Sequence, residues 1–257
     1  MTADARMARA APGARTNRRE HHQRPVIALA IEQSSARGSV ALLADETVLG
    51  ERCWEHSRPK NQELIVVLME LLRATSIRFD DVATIAVGLG PGTFSGVRVA
   101  VTVAKALALP DGRRVCGVSS GEALAADVAM DQRAKSIFVI GDARRGYAWY
   151  NLFTCDTDIP KAAGPWCLHP LDRLAEVLPR ESAIVTSEWD RLGERLTEAC
   201  PPGTGLLREN RYPSARFVGL LAARRIRSRV QSADVSPIYL HAPVFVAPHH
   251  PAQNPTP

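Results

Sequence analysis

Ile27-Ala-Leu-Ala-Ile-Glu-Gln-Ser-Ser-Ala-Arg-Gly-Ser-Val-Ala-Leu-Leu43 and Ile137-Phe-Val-Ile-Gly-Asp-Ala-Arg-Arg-Gly-Tyr-Ala-Trp-Tyr-Asn-Leu-Phe153 follow one plan. In each, an apolar strand ends in an acidic residue (Glu32, Asp142), passes an Arg-Gly turn (Arg37-Gly38, Arg145-Gly146) and returns as an alternating strand. Such self-similarity reads as an internal duplication, with the second unit starting at Ser136. At 257 residues the chain can hold one large domain or two lobes built on this plan.

Working outward from the first copy, residues 26–31, 39–43 and 47–54 predict a three-stranded antiparallel meander around the turn Ala44-Asp45-Glu46. Residues 61–75 predict a helix, with Asn61 as N-cap and Glu63 near the positive end of its dipole. A strand over 82–88, a helix over 95–109 stopped by Pro110-Asp-Gly112, a strand over 114–118 and a helix over 120–129 follow. The order β-β-β-α-β-α-β-α predicts an α/β class, a mixed sheet with helices on its faces. The second copy becomes irregular. There, 160–170 reads as loop, 171–178 as a short helix, 183–186 as a strand and 215–230 as a basic helix. The expected organisation is a disordered basic arm over 1–24, a first lobe over 25–132, a reduced second lobe over 133–246 and a disordered tail over 247–257.

The composition, 46% apolar and 23% charged, is that of an ordinary soluble globular protein. Apolar runs such as 64–69 and 99–104 fall far short of the roughly 20 residues that span a bilayer, so no membrane segment is expected. The net charge of +5 hints at nucleic acid until it is located: residues 1–24 hold six arginines against Asp4 and Glu20, leaving the remainder nearly neutral. That arm lacks the apolar core of a secretory signal. A transit peptide, an RNA-touching arm and a true start at Met7 stay open as readings of it. Cys53, Cys116, Cys155, Cys167 and Cys200 form no C-x-x-C pair and read as reduced thiols of a cytoplasmic protein.

From the end of the strand over 82–88 into the start of the next helix run Gly88, Gly90, Gly92 and Gly96. A glycine-rich loop opening a helix offers backbone N–H groups and a positive dipole end to an anion. The candidates for holding an anion or nucleotide are Gly90, Gly92, Thr93, Ser95 (the expected N-cap) and Gly96, with Glu32 and Asp142 at the strand ends. The spacing Gly90-x-Gly92-x-x-x-Gly96 is one residue too long for the dinucleotide fingerprint, and Val97-Arg98 stands where a P-loop needs Lys-Ser/Thr. Glycines that merely permit a tight turn against the sheet are the competing reading.

The two helices of this half are more apolar than one buried face requires. Arg98, Thr102 and Lys105 form a single narrow polar stripe on one, and in the other Glu70 alone interrupts Leu64 to Leu72. Their outer sides are expected to be covered by another chain or by the second lobe. The interface expected on them comprises Leu64, Val67, Leu68, Leu71, Val97, Val101, Ala104 and Leu107. No catalytic residue and no metal ligand is assigned: H-E-x-x-H and H-x-x-x-H pairs are missing, His249-His250 has no third ligand fixed nearby, and no Ser-His or Cys-His arrangement stands out.

The block from Gly88 to Arg98, GLGPGTFSGVR, resembles the signature G-x-G-P-G-[ST]-F-[ST]-G-[LV]-R of the TsaB family, also called YeaZ. GDARRGYAWY over 141–150 resembles that family's second signature, and Pro237-Ile-Tyr239-Leu240 is similar to its P-x-Y-L-R ending. The likeness runs from about Val26 to Pro243. It implies an actin-like ATPase (ASKHA) fold of two RNase H-like lobes, the second one reduced, and a role in forming threonylcarbamoyladenosine on tRNAs that decode codons starting with A. It further implies a non-catalytic scaffold that pairs with the catalytic paralogue TsaD through the helices at 61–75 and 95–109, beside a TsaE-like ATPase. In isolation, homodimerisation through the same surface is expected. tRNA would be reached indirectly through the complex, and no cofactor is expected on this chain alone, Mg-ATP entering with the complex.

Three departures stand out. Glu32-Gln33 replaces the usual Asp-Thr, Lys60-Asn61-Gln62-Glu63 replaces a His-Ser-Glu type of helix start, and His241 stands where Arg is usual. They erode a nucleotide site more than an interface. The alternatives are an independent ASKHA-type ATPase or phosphotransferase using Glu32 and Asp142 around Mg-ATP, and a glycoprotease-like peptidase, which would lack its histidine metal pair.

Overall fold

In the computed structural model, which describes residues 25–55, 61–229 and 234–241, strand β1 (Ile27–Glu32) lies at the centre of a five-stranded sheet. Its apolar residues suit a strand buried on both faces. β2 (Arg37–Ala44) pairs antiparallel with it, β3 (Thr47–Glu55) extends the meander, and β4 (Val82–Gly88) and β5 (Arg114–Val118) continue in parallel on the other side. The order is β3-β2-β1-β4-β5. Three helices follow the strands in sequence: α1 (Asn61–Thr75), α2 (Phe94–Ala108) and α3 (Ser120–Gln132).

The second sheet repeats this order. It contains β6 (Ser136–Arg144), β7 (Tyr147–Thr154), β8 (Lys161–Ala162), β9 (Cys167–Pro170), β10 (Ala183–Thr186) and β11 (Gly205–Asn210), followed along the path β8-β7-β6-β10-β11 with β9 also pairing β7. β6 is antiparallel to β7, parallel to β10, and β10 is parallel to β11, as in the first sheet. The duplication and the two-lobed α/β fold expected from sequence are present. The helices of this half are α4 (Trp189–Ala199) and α5 (Ala215–Arg227), with a 3-10 turn at Leu171–Glu176.

Alternation along the strands gives each sheet two cores. Leu29, Ile31, Val40 and Leu42 face α1 and α2, whose inward positions are Leu64, Leu68, Leu71, Leu72, Val97, Ala100, Val101 and Ala104. Each large aliphatic side chain buried there contributes about 1.5–3 kcal/mol. On the opposite face Ala30, Ala41 and Leu43 meet Phe217, Val218 and Leu221 of α5. α5 therefore belongs to the core of the first sheet, although it comes from the part of the chain expected to form the second lobe. α3 lies between the sheets: Ala123 and Ala126 join the α5 core, while Leu124, Ala125 and Val128 join Ile137, Val139 and Phe153 of the second sheet. A helix that must pack on two sides needs small side chains, which accounts for its alanines.

Several boundaries differ from the sequence reading. The stretch 160–170 contains the short strands β8 and β9, which complete the repeated sheet order. α4 and β11 were not anticipated: α4 buries only Leu192, Gly193 and Leu196, and β11 is an edge strand without apolar alternation. The short helix expected over 171–178 is the 3-10 turn. α2 begins one residue early, so Thr93 and not Ser95 is its N-cap, and α1 already includes Asn61. The arm 1–24, Lys60 and the tail with His249-His250 lie outside the described residues.

Candidate functional site

Glu32 ends β1 with no exposed surface. Its Oε1 accepts a hydrogen bond from the Ser34 backbone N–H at 2.5 Å and its Oε2 from the Ser120 hydroxyl at 2.7 Å. The Ser120 Oγ in turn accepts from the Gly90 N–H at 3.0 Å. Burial pushes the carboxyl pKa up, against the hydrogen bonds from Ser34 and Ser120 that pull it down. Glu32 was expected to face a cleft able to hold a hydrated metal with a nucleotide. It is instead a buried tie between β1, the glycine loop and the start of α3.

The glycine loop lies hard against the segment that follows β1. A Cβ at Gly92 would sit 2.1 Å from the Ser34 carbonyl oxygen, and one at Gly96 2.0 Å from that of Gln33. Only glycine allows this approach, so these two positions follow the tight-turn reading. Loop N–H groups are used internally: Leu89 N donates to Val118 O at 2.8 Å, Gly90 N to Ser120 Oγ, and Thr93 N to Ser34 O at 2.6 Å. Thr93 makes no side-chain cap, and Ser95 is exposed in the first turn of α2.

A cleft of about 1160 Å³ opens between the two sheets. Of the sequence candidates, Gly92, Thr93 and Asp142 line it; Gly90, Ser95, Gly96 and Glu32 do not. On the far wall the Asp142 carboxylate accepts from the Arg144 backbone N–H at 2.7 Å and pairs with Arg144 Nη1 at 2.9 Å and Arg191 Nη2 at 3.1 Å. The Asp142 N–H donates to Glu188 Oε2 at 2.7 Å, and burial raises the Glu188 pKa. Sequence reasoning missed Arg98, Arg145, Glu188, Arg191, Asn210 and Tyr212 as lining residues. Glu188, Arg191 and Asn210 flank or belong to the unanticipated α4 and β11. The one local signal was the polar run Ser187-Glu188 directly after an apolar strand.

The segment 235–241 crosses both lobes beside the cleft. Ile238 N donates to Leu89 O at 2.8 Å and its side chain packs on the first core, while Leu240 packs on the second. His241 Nε2 donates to the Ala143 carbonyl at 2.7 Å, which fixes the proton on that nitrogen. Tyr239 meets Phe94 at 5.3 Å between ring centroids, and the Arg98 guanidinium lies over Phe94 at 5.0 Å.

The expected interface residues are placed differently. Leu64, Leu68, Leu71, Val97, Val101 and Ala104 are buried in the first core, and Val67 and Leu107 are half-buried against it. The helical period puts these positions on the inward stripe, so they hold the helices to their own sheet. The outward side of α1 exposes Ile65, Val66 and Met69, and α2 ends at the exposed Leu109. Among the described residues no helix is long and apolar enough to cross a membrane, and no three His, Cys, Asp or Glu side chains are grouped to hold a metal ion.

Residues 55–188 match the family model described as TsaD: tRNA N6-adenosine threonylcarbamoyltransferase. The chain is similar to the tRNA threonylcarbamoyladenosine biosynthesis protein TsaB of Bacillus subtilis, 34% identical over 126 residues, which is 49% of this chain and 54% of that protein. It is similar to the protein of the same name from Escherichia coli, 31% identical over 169 residues, covering 64% of this chain and 70% of that protein. The match thus spans about half the length of the Bacillus relative. In structure, YeaZ from Pseudomonas aeruginosa superposes with a TM-score of 0.72 at 25% identity, over 84% of this chain and 100% of that one.

Proposed function

The chain belongs to the TsaB/YeaZ family of tRNA threonylcarbamoyladenosine biosynthesis, and from that premise we propose that it is a non-catalytic scaffold docking a TsaD-like catalytic paralogue. The observation that carries the proposal is the apolar outer side of α1, where Ile65, Val66 and Met69 are 44%, 55% and 43% exposed on a helix already anchored by four buried leucines. Exposed aliphatic residues grouped on one face suit a second protein surface. A TsaE-like ATPase, Mg-ATP and tRNA would meet this chain in the assembled complex, and in the absence of TsaD the same face would form a homodimer. The reading as an independent Mg-ATP enzyme loses support because Glu32 is sealed inside the protein and Asp142 is neutralised by Arg144 and Arg191.

The test is co-purification with the TsaD of the same organism. Val66→Glu and Met69→Glu should each weaken the complex by at least about tenfold, roughly 1.4 kcal/mol, by placing a charge in a desolvated contact. A full-strength complex with the double variant would overturn the assignment. Val101→Glu is unsuited to this test, since Val101 is 5% exposed and the charge would disrupt the fold.

A further inference from the structure

The outward side of α2 and its C-cap carries Phe94, Arg98, Thr102, Lys105 and Leu109, all exposed and spaced by three or four residues. Helical periodicity sets them on one line, opposite the buried Val97, Ala100, Val101, Ala104 and Ala108. The two ends of the line are apolar, and at one of them Tyr239 meets Phe94 with ring centroids 5.3 Å apart. Between the ends stand two cations. Arg98 is held over the Phe94 ring at 5.0 Å, and neither it nor Lys105 has a carboxylate partner among the described residues. α2 itself contains no acidic residue. Seven residues of helical rise set Arg98 and Lys105 about 10 Å apart along the axis.

We propose that this line is the charged half of the docking face, selecting a partner surface that bears carboxylates about 10 Å apart between apolar contacts. The inference rests on the reading of α1 as a docking face. α1 packs on β2 and β3 and α2 on β1 and β4, so the two helices lie side by side over one face of the first sheet. A stable protein interface takes about 800 Å² from each partner, more than Ile65, Val66 and Met69 alone offer. A protein seated on α1 therefore extends over α2. There it strips water from Arg98 and Lys105, which is unfavourable unless groups of opposite charge replace the water. A second copy of this chain, meeting α2 to α2, would bring cations of one sign together. Two cations between apolar ends also suit a protein surface better than a nucleic-acid backbone, which is held through many phosphate contacts.

The experiment measures association of the full chain with the TsaD of the same organism by surface plasmon resonance over a range of salt. Wild type should associate more slowly as salt rises. Arg98→Met with Lys105→Met should remove most of that salt dependence. Arg98→Glu with Lys105→Glu should weaken the complex by about tenfold or more, chiefly through the association rate. Melting temperatures should be unchanged in both double variants, since the two positions are exposed. A charge-reversed chain that binds as tightly as wild type, or a wild-type rate indifferent to salt, would overturn the proposal, while loss of the complex in Val66→Glu would leave the apolar docking face standing. A wild type that forms no complex would overturn both. Two further arms test other occupants. Charge-reversed chain binding wild type more tightly than wild type binds itself would assign the line to a second copy, and tRNA retained by wild type but not by the charge-reversed chain would assign it to RNA; either result overturns the proposal.

Discussion

Glu32 and Asp142 occupy equivalent positions in the repeated units, yet their carboxylates have opposite fates. Asp142 remains on the cleft wall against arginines, whereas Glu32 turns inward to Ser34 and Ser120. Both were legible in sequence as strand-terminal acids; the direction of each side chain was not, because Ser120 lies 88 residues from Glu32. Glu32→Ala would leave the Ser34 N–H and Ser120 hydroxyl without their acceptor and open a void, a loss of about 2–4 kcal/mol by urea unfolding. pH provides a second readout. The folded pKa of Glu32 is raised above its ordinary value of 4.5, so the stability linked to this group is full below that value and lost as pH rises through the folded pKa. Wild type should therefore lose stability relative to Glu32→Gln as pH is raised from below 4.5 through the folded pKa, and a constant difference would show that this carboxyl does not titrate with folding.

Helices α1 and α2 show how far periodicity carries at the level of an element. Their existence, and the excess of apolar residues over one buried stripe, were evident from the chain. On α1 the inward and outward stripes are both aliphatic, and only the sheet beneath distinguishes them. The distinction predicts opposite effects on stability along α1. Val66→Glu should change the unfolding free energy by no more than about 0.5 kcal/mol, while Leu68→Ala, at a position 3% exposed, should cost about 2–5 kcal/mol. Equal effects in chemical denaturation would contradict the assignment of faces. In the loop before α2, the glycines follow from the close approach to Gln33 and Ser34, a long-range contact that spacing alone could not reveal.

For the whole molecule, the two sheets are joined by chain that crosses between them: α3 packs on both, α5 returns to the first, and residues 235–241 place Ile238 in one core and Leu240 in the other. Ile238→Asp should loosen this clasp, lowering stability by about 2–3 kcal/mol and speeding hydrogen exchange at Ser120 and Gly90; unchanged exchange there would show that the segment merely rests on the surface. By itself, the sequence determined the repeated strand-turn-strand units, the α/β class, the glycine loop and the apolar helices, since each is set by neighbouring residues and their period. Tertiary structure alone decided which helix faces are buried, that α5 completes the first core, and that Glu32 is sealed while Arg98 and Arg145 share a cleft. Those outcomes depend on contacts between residues far apart in the chain, where burial and charge pairing, not local propensity, control the free energy.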